Sequence, residues 1–388
     1  MPQFNMGRVP PLTFGAGRIV KVPKIITALG GGPVLIISDV IMAELGVADQ
    51  LTTDLAIEGI PFELMAEVSG EPKEALIDRL CGCARKAEAR AIIGLGGGAA
   101  MDAAKLVAAI AHSGRPARDF ALAAQSLPEG GIPAVAIPTT AGTGSEVTRT
   151  SVISKANGGK IWFWGEELMF AQAVLDPALT LSLPPHLTAW TGIDAVSHAL
   201  EGATSRNISP AGKLYGLEAL RILSDALPQA VADGTDLEVR GRVLWGSLIA
   251  GLALHNCNTH MGHNISHALG SLVRIHHGLA TGLSLETCLP WLVASTEGAE
   301  NYARAALALG GAESPEALPM AFSALMRSCQ IPPELPAECA ELTSETLAAE
   351  MKNSANIGMA RNAACPVGDI DLDEMASMMM RLPVGPAS

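Results

Sequence analysis

Residues 94–105 read Gly-Leu-Gly-Gly-Gly-Ala-Ala-Met-Asp-Ala-Ala-Lys, and this stretch decides the fold class of the 388-residue chain. The apolar run 91–95 leads into the glycines, and Met101 to His112 has a helical pattern. A buried strand, a glycine turn and a helix in that order can bring backbone N–H groups to a phosphate. By itself the Gly94-x-Gly96-x-x-Ala99 spacing is a weak signal, and it fits a tight structural turn equally well.

Similar units surround this stretch in the first half of the chain. The runs 34–38 and 134–137 are short, apolar and followed by Asp39 or Pro138, which is typical of buried parallel strands. A helical pattern covers 73–89. Because strands and helices alternate, the sequence predicts an open, Rossmann-like α/β domain with a parallel sheet.

The alternation stops near residue 184. Ser182-Leu-Pro-Pro185 predicts a break, with a capping serine and prolines suited to the first turn of a helix. Beyond it, four stretches rich in Ala, Leu and Glu predict helices at 187–203, 211–232, 239–257 and 344–362. We therefore expect an α/β domain over residues 1–183 and an all-helical domain over residues 184–388.

Composition and charge exclude several classes of protein. Hydrophobic residues make up 49% of the chain and charged residues 17%, which excludes a predominantly disordered protein. Apolar stretches such as 243–254 are too short to span a bilayer. The net charge of −13 gives no electrostatic reason to bind nucleic acid or an anionic membrane, so a small molecule is the expected partner.

The cysteines and the N-terminal residues indicate the cellular compartment of the protein. The seven cysteines form no CxxC pair, which favours reduced thiols over a disulfide scaffold. The first eight residues lack an apolar signal core. Both features lead us to expect a cytoplasmic protein.

A second loop and an aspartate extend the nucleotide-binding interpretation. Pro138-Thr-Thr-Ala-Gly-Thr-Gly-Ser-Glu146 also follows a predicted strand and offers hydroxyls and amides to a ligand. Two such loops after parallel strands predict a dinucleotide crevice. Asp39 ends another strand, where its carboxylate would accept a hydrogen bond from the adenosine ribose and repel a 2′-phosphate, favouring NAD over NADP. An ordinary turn aspartate is the alternative.

Histidines crowd one part of the second half, where six of the nine fall between positions 255 and 277. Asp194 and His198 are four residues apart, which places both on one face of a helix with about 3.6 residues per turn. Such a pair also forms a simple hydrogen bond. His263 and His267 share the same spacing, but Asn264 stands where a zinc protease carries its glutamate. His277 begins a His-Gly step at a helix start or a loop.

One aspartate and three histidines with an open position would bind a divalent transition metal such as iron or zinc. This predicts a metal site in the helical domain.

Together these motifs resemble the iron-containing (group III) alcohol dehydrogenases, over almost the whole chain. The resemblance rests on residues 96–105, Pro138 to Thr148, Asp176-Pro177, Gly192-Ile-Asp-Ala-Val-Ser-His-Ala-Leu-Glu201 and the His263-x3-His267-x9-His277 series. It implies the dehydroquinate synthase-like architecture of that family, with an NAD-binding domain at 1–183 and a metal-binding domain at 184–388. A homodimer or a larger homo-oligomer is also implied.

The resemblance also implies roles for individual residues. The metal ligands would be Asp194, His198, His263 and His277, with iron favoured and zinc as the alternative. His267 would relay protons beside the substrate. NAD would contact, in addition to Asp39, the following residues: Gly97, Gly98 and Ala99 at the pyrophosphate, with Asp102, Thr139, Thr140, Thr143, Lys160 and Leu179 around the rest.

The sequence departs from the family pattern at several positions. Ala99 replaces the usual serine after the glycines, Glu71 stands where asparagine is common, and His276 replaces a frequent proline before the last ligand. These changes affect the expected cofactor contacts and substrate preference. The presence of Asp194 argues against the maleylacetate reductases, relatives that work without metal.

The expected activity is reversible, NAD-linked oxidation of a small alcohol to an aldehyde or ketone. A hydroxyacid or polyol dehydrogenase is the nearest alternative, and a carboxylate substrate would need a cation such as Arg149 or Arg274. A dehydroquinate synthase-like lyase would need many cations, and residues 185–290 contain few. A non-catalytic nucleotide-binding module is the remaining alternative, and the predicted set of four metal ligands argues against it because such a module would not need them.

Overall fold

The computed structural model describes residues 3–155 and 158–385. Within these residues the chain forms two compact units. The α/β unit comprises residues 8–140 and 145–182, and the helical unit comprises 183–385 together with the short segments 3–7 and 141–144. These two segments pack with residues far away in sequence, so a linear division at residue 183 could not assign them.

A six-stranded parallel sheet forms the centre of the α/β unit, with strand order β1-β8-β5-β4-β2-β3. A two-stranded antiparallel hairpin, β6–β7, accompanies it. The strands are β1 (Leu12–Phe14), β2 (Val34–Asp39), β3 (Phe62–Val68), β4 (Ala91–Gly96), β5 (Ala134–Pro138), β6 (Thr150–Ser154), β7 (Lys160–Trp164) and β8 (Gln172–Leu175). The predicted parallel α/β fold is confirmed, and the three predicted strands are β2, β4 and β5.

Five helices connect the strands: α1 (Val22–Ala28), α2 (Val40–Glu44), α3 (Val47–Ile57), α4 (Glu74–Lys86) and α5 (Gly98–Ile110). All of β4 and nearly all of α5 are buried. The alanines of α5 allow this helix to lie close to the sheet, because they add little bulk between the two backbones. The α5 N-terminus is therefore held firmly at the end of β4.

The helical unit contains ten helices among its described residues: α6 (Pro185–Thr204), α7 (Pro210–Ala232), α8 (Leu237–Cys257), α9 (Met261–Leu272), α10 (His277–Val293), α11 (Ala299–Ala308), α12 (Ala317–Ser328), α13 (Ser344–Met351), α14 (Ile357–Ala360) and α15 (Asp369–Met379). Short 3-10 turns across the chain occupy Arg18–Lys21, Ala117–Ala123, Ser145–Val147, Glu166–Leu168, Pro177–Thr180 and Ala337–Cys339. Residues 192–204 of α6 are buried without interruption, so α6 is the central helix of its unit.

Two sequence predictions about helix ends were wrong. Pro184, rather than Ser182, occupies the N-cap of α6, and Pro185 is its first residue. The single helix predicted over 344–362 is two helices, α13 and α14. The side chain of Asn353 accepts hydrogen bonds from the backbone N–H groups of Ala355 and Asn356, and this local turn replaces the helical hydrogen bonds.

Within the described residues, none of the helices combines the length and the apolar character needed to cross a membrane.

Candidate functional site

Asp39 and the glycine loop meet at neighbouring strand ends in the α/β unit. Strand β2 ends at Asp39, and the adjacent strand β4 ends at Gly96. The Asp39 Oδ2 atom accepts a hydrogen bond of 2.6 Å from the Gly97 N–H. Gly96 has φ = 147°, and a Cβ there would lie 2.1 Å from Asp39 Oδ2, so only glycine fits. The contact brings a carboxylate to the start of α5.

The start of α5 also supplies backbone donors. Gly97 is the N-cap, and the amides of Gly98 and Ala99 belong to the first turn, whose N–H groups have no acceptor within the helix. Such amides and the helix dipole attract an anion. Burial raises the pKa of Asp39 to about 6, although the Gly97 hydrogen bond opposes the shift.

Asp102 has a role that the sequence did not indicate. Its Oδ1 accepts from the Ser145 hydroxyl at 2.6 Å, and its Oδ2 accepts from the Val152 N–H at 2.8 Å. Both carboxylate oxygens therefore join α5 to the β6 region. Burial raises the pKa of Asp102, and the Lys105 ammonium opposes this shift.

Lys105 is a buried cation that sequence reasoning missed. Its Nζ donates to the Thr148 carbonyl, the Thr148 hydroxyl and the Thr150 carbonyl at 2.9, 3.1 and 2.7 Å. Burial lowers its pKa to about 8, against the attraction of Asp102 and Glu146. Lysine three residues after Asp102 was the available sequence signal, because that spacing places both on one helix face.

The remaining predicted cofactor residues have different surroundings. Thr139 is buried just after β5, and its N–H donates to the Gly96 carbonyl at 3.0 Å, while Thr140 lies beside Gly97. Lys160 begins β7, with Nζ 3.4 Å from Glu71 Oε1. Leu179 is partly buried and packs against the apolar core of the α/β unit. Thr143 belongs to the segment 141–144 of the helical unit.

Three helices bring the predicted metal ligands together in the helical unit. Asp194 and His198 lie on α6, His263 on α9, and His277 is the first residue of α10. One ligand atom from each of Asp194, His263 and His277 falls within 4.8 Å of the other two. Asp194 and His263 are buried, and the His277 side chain is 30% exposed.

The spacing of these atoms fits a shared ion. His263 Nε2 and His277 Nε2 lie 3.7 and 3.6 Å from Asp194 Oδ1, which is too long for hydrogen bonds. Two ligands of a tetrahedral ion with bonds near 2.1 Å are about 3.4 Å apart. Among the described residues no hydrogen-bond donor reaches the buried Asp194 Oδ1. A buried carboxylate oxygen with two imidazole nitrogens facing it is a donor set suited to a divalent transition metal.

His198 joins this group from one side. Its ring stacks on His263 with centroids 4.6 Å apart, and its Nδ1 lies 4.0 Å from Asp194 Oδ2 and 3.3 Å from the Gly142 carbonyl. An Nδ1–H donated to that carbonyl would direct the lone pair of His198 to Nε2. His198 is therefore adjacent to the three-residue group but outside the 4.8 Å set.

His267 lies beside the donor set. Its ring centroid is 5.3 Å from that of His277 and 6.1 Å from that of His263. It is only partly buried, one turn after His263 on α9. This position suits a group that exchanges protons with the surroundings.

Glu201 is a neighbour of the predicted ligands, and sequence reasoning did not single it out. Its fully buried carboxylate accepts a hydrogen bond of 2.5 Å from His263 Nδ1. Burial opposes its ionisation, yet the adjacent His263 and the hydrogen bonds that the carboxylate accepts lower its pKa. Its position seven residues after Asp194, two helical turns along α6, was the signal that could have found it.

The comparisons with known proteins identify the family of this chain. A family model described as "Iron-containing alcohol dehydrogenase" matches residues 10–177, and one described as "Fe-containing alcohol dehydrogenase family, C-terminal" matches residues 188–366. The chain is 37% identical over 279 residues to long-chain-alcohol dehydrogenase 1 of Geobacillus thermodenitrificans, covering 71% of this chain and 70% of that one. It is 28% identical over 292 residues to the NAD-dependent methanol dehydrogenase of Bacillus methanolicus, covering 74% and 76% of the two chains.

The fold matches a solved structure over nearly its full length. The sulfoacetaldehyde reductase of Bifidobacterium kashiwanohense, solved in complex with NAD+, superimposes with a TM-score of 0.88 at 26% identity, covering 98% of this chain and 100% of that one. The chain belongs to the iron-containing alcohol dehydrogenase family and is an oxidoreductase.

Proposed function

We propose that this enzyme transfers hydride between a small alcohol, or its aldehyde or ketone, and NAD, with a divalent metal held by Asp194, His198, His263 and His277. The observation that supports the proposal most directly is the buried Asp194 Oδ1 facing two imidazole Nε2 atoms at 3.6 and 3.7 Å. Iron is the proposed metal, and zinc suits the same donors. When bound, the metal supplies Lewis acidity and NAD supplies a hydride acceptor.

The residues of the chain would bind and orient the reactants. The first-turn amides of α5 and the loop at Gly97 would bind the NAD pyrophosphate, and Asp39 would accept a hydrogen bond from the adenosine ribose. The partly buried His267 would accept the proton released by the alcohol and pass it toward solvent.

We propose that the substrate is a simple alcohol. The relatives are named for a long-chain alcohol, methanol and sulfoacetaldehyde, so membership of the family leaves the substrate open. A hydroxyacid would need a cation to bind its carboxylate. Arg149 is already paired with Glu166 at 2.6 Å and stacked 4.3 Å from the Trp164 ring, so of the two candidate cations only Arg274 is left to bind such a carboxylate.

The decisive experiment is metal analysis together with a substrate panel on protein purified without oxygen. We expect about one divalent metal per chain and NADH formation with one or more alcohols in a panel of alcohols, diols and hydroxyacids. Full turnover by protein stripped of metal would refute the metal-dependent mechanism. Metal-bound protein that reduces no NAD with any of these compounds would refute the proposed reaction.

A homodimer or larger homo-oligomer is the proposed assembly. Strand β1 is at one edge of the sheet and presents the partly exposed Leu12 and Phe14. Unpaired strand edges with apolar side chains are suited to association with another chain. A sedimentation mass equal to one chain at micromolar concentration would contradict this.

Asp39→Gly is expected to reduce the preference for NAD over NADP by at least about tenfold, because the Asp39 carboxylate would no longer repel the 2′-phosphate. The measurement is the ratio of kcat/KM values for the two cofactors. Glu44→Gln, which removes an exposed carboxylate on α2, serves as the control. An unchanged ratio in Asp39→Gly would show that Asp39 does not discriminate.

NAD binding is expected to weaken below pH 6. The Asp39 pKa of about 6 means that its carboxylate is ionised above that pH and protonated below it. The ionised carboxylate is the stronger acceptor for the proposed ribose hydrogen bond, so the dissociation constant of NAD should rise by up to about tenfold between pH 8 and pH 5. Calorimetric titration across this range measures it.

The same pKa predicts the opposite trend in stability. Folding raises the Asp39 pKa from 3.8 to about 6, so the contribution of this group to the free energy of unfolding falls as pH rises from 4 to 6. Asp39→Asn should remove both trends. If its NAD affinity kept the wild-type pH dependence, another group would be responsible.

A further inference from the structure

Glu201 occupies the centre of a buried hydrogen-bond network in the helical unit. Its Oε1 accepts from the backbone N–H of Gly262 at 2.6 Å and lies 3.4 Å from the backbone nitrogen of His263. Its Oε2 accepts from the ring Nδ1 of His263 at 2.5 Å. His260 Nδ1 lies 3.3 Å from Oε1. The carboxylate therefore faces hydrogen-bond donors on α9, the helix that also positions His263.

The protonation of His260 follows from its partners. The Thr204 hydroxyl donates its single hydrogen to the Leu200 carbonyl at 2.8 Å, so it must accept from His260 Nε2, 3.0 Å away. His260 Nδ1 accepts from the Met261 N–H at 2.8 Å. Because one nitrogen donates and the other accepts, His260 is the neutral Nε2–H tautomer. It is not the cationic partner of Glu201.

In the contact between Glu201 and His263, the ring Nδ1 must carry a proton, whereas Nδ1 of His260 carries none. An ionised carboxylate oxygen only accepts hydrogen bonds, so at 2.5 Å the proton must be on His263 Nδ1. In the neutral ring this leaves the lone pair on Nε2. That atom lies 3.7 Å from Asp194 Oδ1, on the side of the ring where the proposed metal would bind.

We propose that Glu201 is a positioning residue for the metal: it fixes the Nδ1–H tautomer and ring orientation of His263, so that Nε2 is presented as a ligand. This inference rests on the proposed metal-dependent function. It goes beyond the ligands themselves, because Glu201 holds the metal site through His263 without contacting the ion.

Charge balance provides a second role for Glu201. Asp194 is the one anion of the proposed ligand set, so a divalent ion with Asp194 and three neutral imidazoles would have a net charge of +1 at a buried site. A net charge in a region with little water is costly unless an opposite charge is close. The buried Glu201 carboxylate supplies that charge, one imidazole away from the metal position.

The test is metal affinity in Glu201→Gln. Glu201 accepts through both oxygens, whereas an amide can accept through only one, so either His263 or Gly262 would face an N–H donor. With Zn²⁺ or Co²⁺ titrated against a competing chelator, we expect affinity about 10- to 100-fold below wild type. A changed visible spectrum of bound Co²⁺ should accompany the loss. Wild-type affinity in folded Glu201→Gln would overturn the proposal.

Thr204→Val is the matched control. It removes the hydroxyl that accepts from His260 Nε2, in the same buried region, while leaving the contact between Glu201 and His263 intact. We expect lower thermal stability with metal affinity within about twofold of wild type. Equal losses of metal affinity in Thr204→Val and Glu201→Gln would assign the effect to general disruption and overturn the proposal.

A measurement on the wild-type chain does not depend on whether Glu201→Gln folds. Nitrogen-15 spectra of histidine-labelled protein, with His263 assigned by its loss in His263→Gln, report which ring nitrogen is protonated. We expect Nδ1–H without metal and with Zn²⁺, and an Nε2–H tautomer in the metal-free protein would overturn the proposal. Failure of the wild-type protein to bind any metal would instead refute the proposed function, which separates the two conclusions.

Discussion

His277→Ala and Asp194→Ala are each expected to lose both the bound metal and alcohol-dependent NADH formation. Asp194 Oδ1 is the atom that both histidine Nε2 atoms face, and His277 is the proposed ligand on a separate helix, α10. Without the Lewis acid, several kcal/mol of transition-state stabilisation is lost, so kcat/KM should fall by about a thousandfold or more. Metal content by mass spectrometry and initial rates with alcohol and NAD measure the two effects.

His112→Ala is the control for these variants. His112 is exposed and lies in the α/β unit, so its replacement should leave metal content and rate unchanged. Calorimetric NAD binding should also persist in Asp194→Ala, because the proposed pyrophosphate site belongs to the α/β unit. Full activity in metal-free His277→Ala would exclude the ligand assignment.

Gly278→Ala is expected to lower metal affinity by about a hundredfold or more without removing a ligand. A Cβ at Gly278 would lie 2.0 Å from the Trp190 carbonyl oxygen and 3.2 Å from Asp194 Cβ. Because the first contact is with backbone, α10 must move away from α6, which separates His277 from Asp194. Overpacking of this kind costs about 1–3 kcal/mol of stability, and a displacement near 1 Å is enough to lose about a hundredfold in function.

Gly282→Ala provides the comparison, one turn further along the same helix. A Cβ there would lie 3.1 Å from Ile193 Cγ2 and from Met326 Sδ, which are parts of side chains that can shift. We expect wild-type metal affinity and a small change in melting temperature. If Gly278→Ala bound metal as tightly as Gly282→Ala, the close approach of α10 to α6 would not determine the site.

The sequence predicted three of the four inner strands of the sheet and neither edge strand, and it missed the short inner strand β8. Strands β2, β4 and β5 are buried apolar runs, so their composition alone identifies them. The edge strand β1 has only three residues, and β3 is largely exposed along one edge of the sheet, so neither has a strong apolar pattern. The wrong helix at 344–362 has a similar explanation, since helix propensity did not account for the turn formed by Asn353.

The sequence by itself determined which residues share a helix face. The spacing of Asp194, His198 and Glu201 along α6 is fixed by helix geometry, as is that of His263 and His267 on α9. It also determined that a glycine turn follows β4. These are local properties, set by the repeat of the backbone and by the conformations that glycine allows.

Only the tertiary structure decided which of these faces meet. The contact of His263 with Glu201 joins residues 62 positions apart, and that of Asp39 with Gly97 joins residues 58 positions apart. Such contacts depend on how closely helices and strands pack, as the lack of space for a Cβ at Gly278 shows. Helix packing therefore determines that Glu201 is the residue that orients His263, because sequence spacing alone does not show which residue of another helix will be its partner.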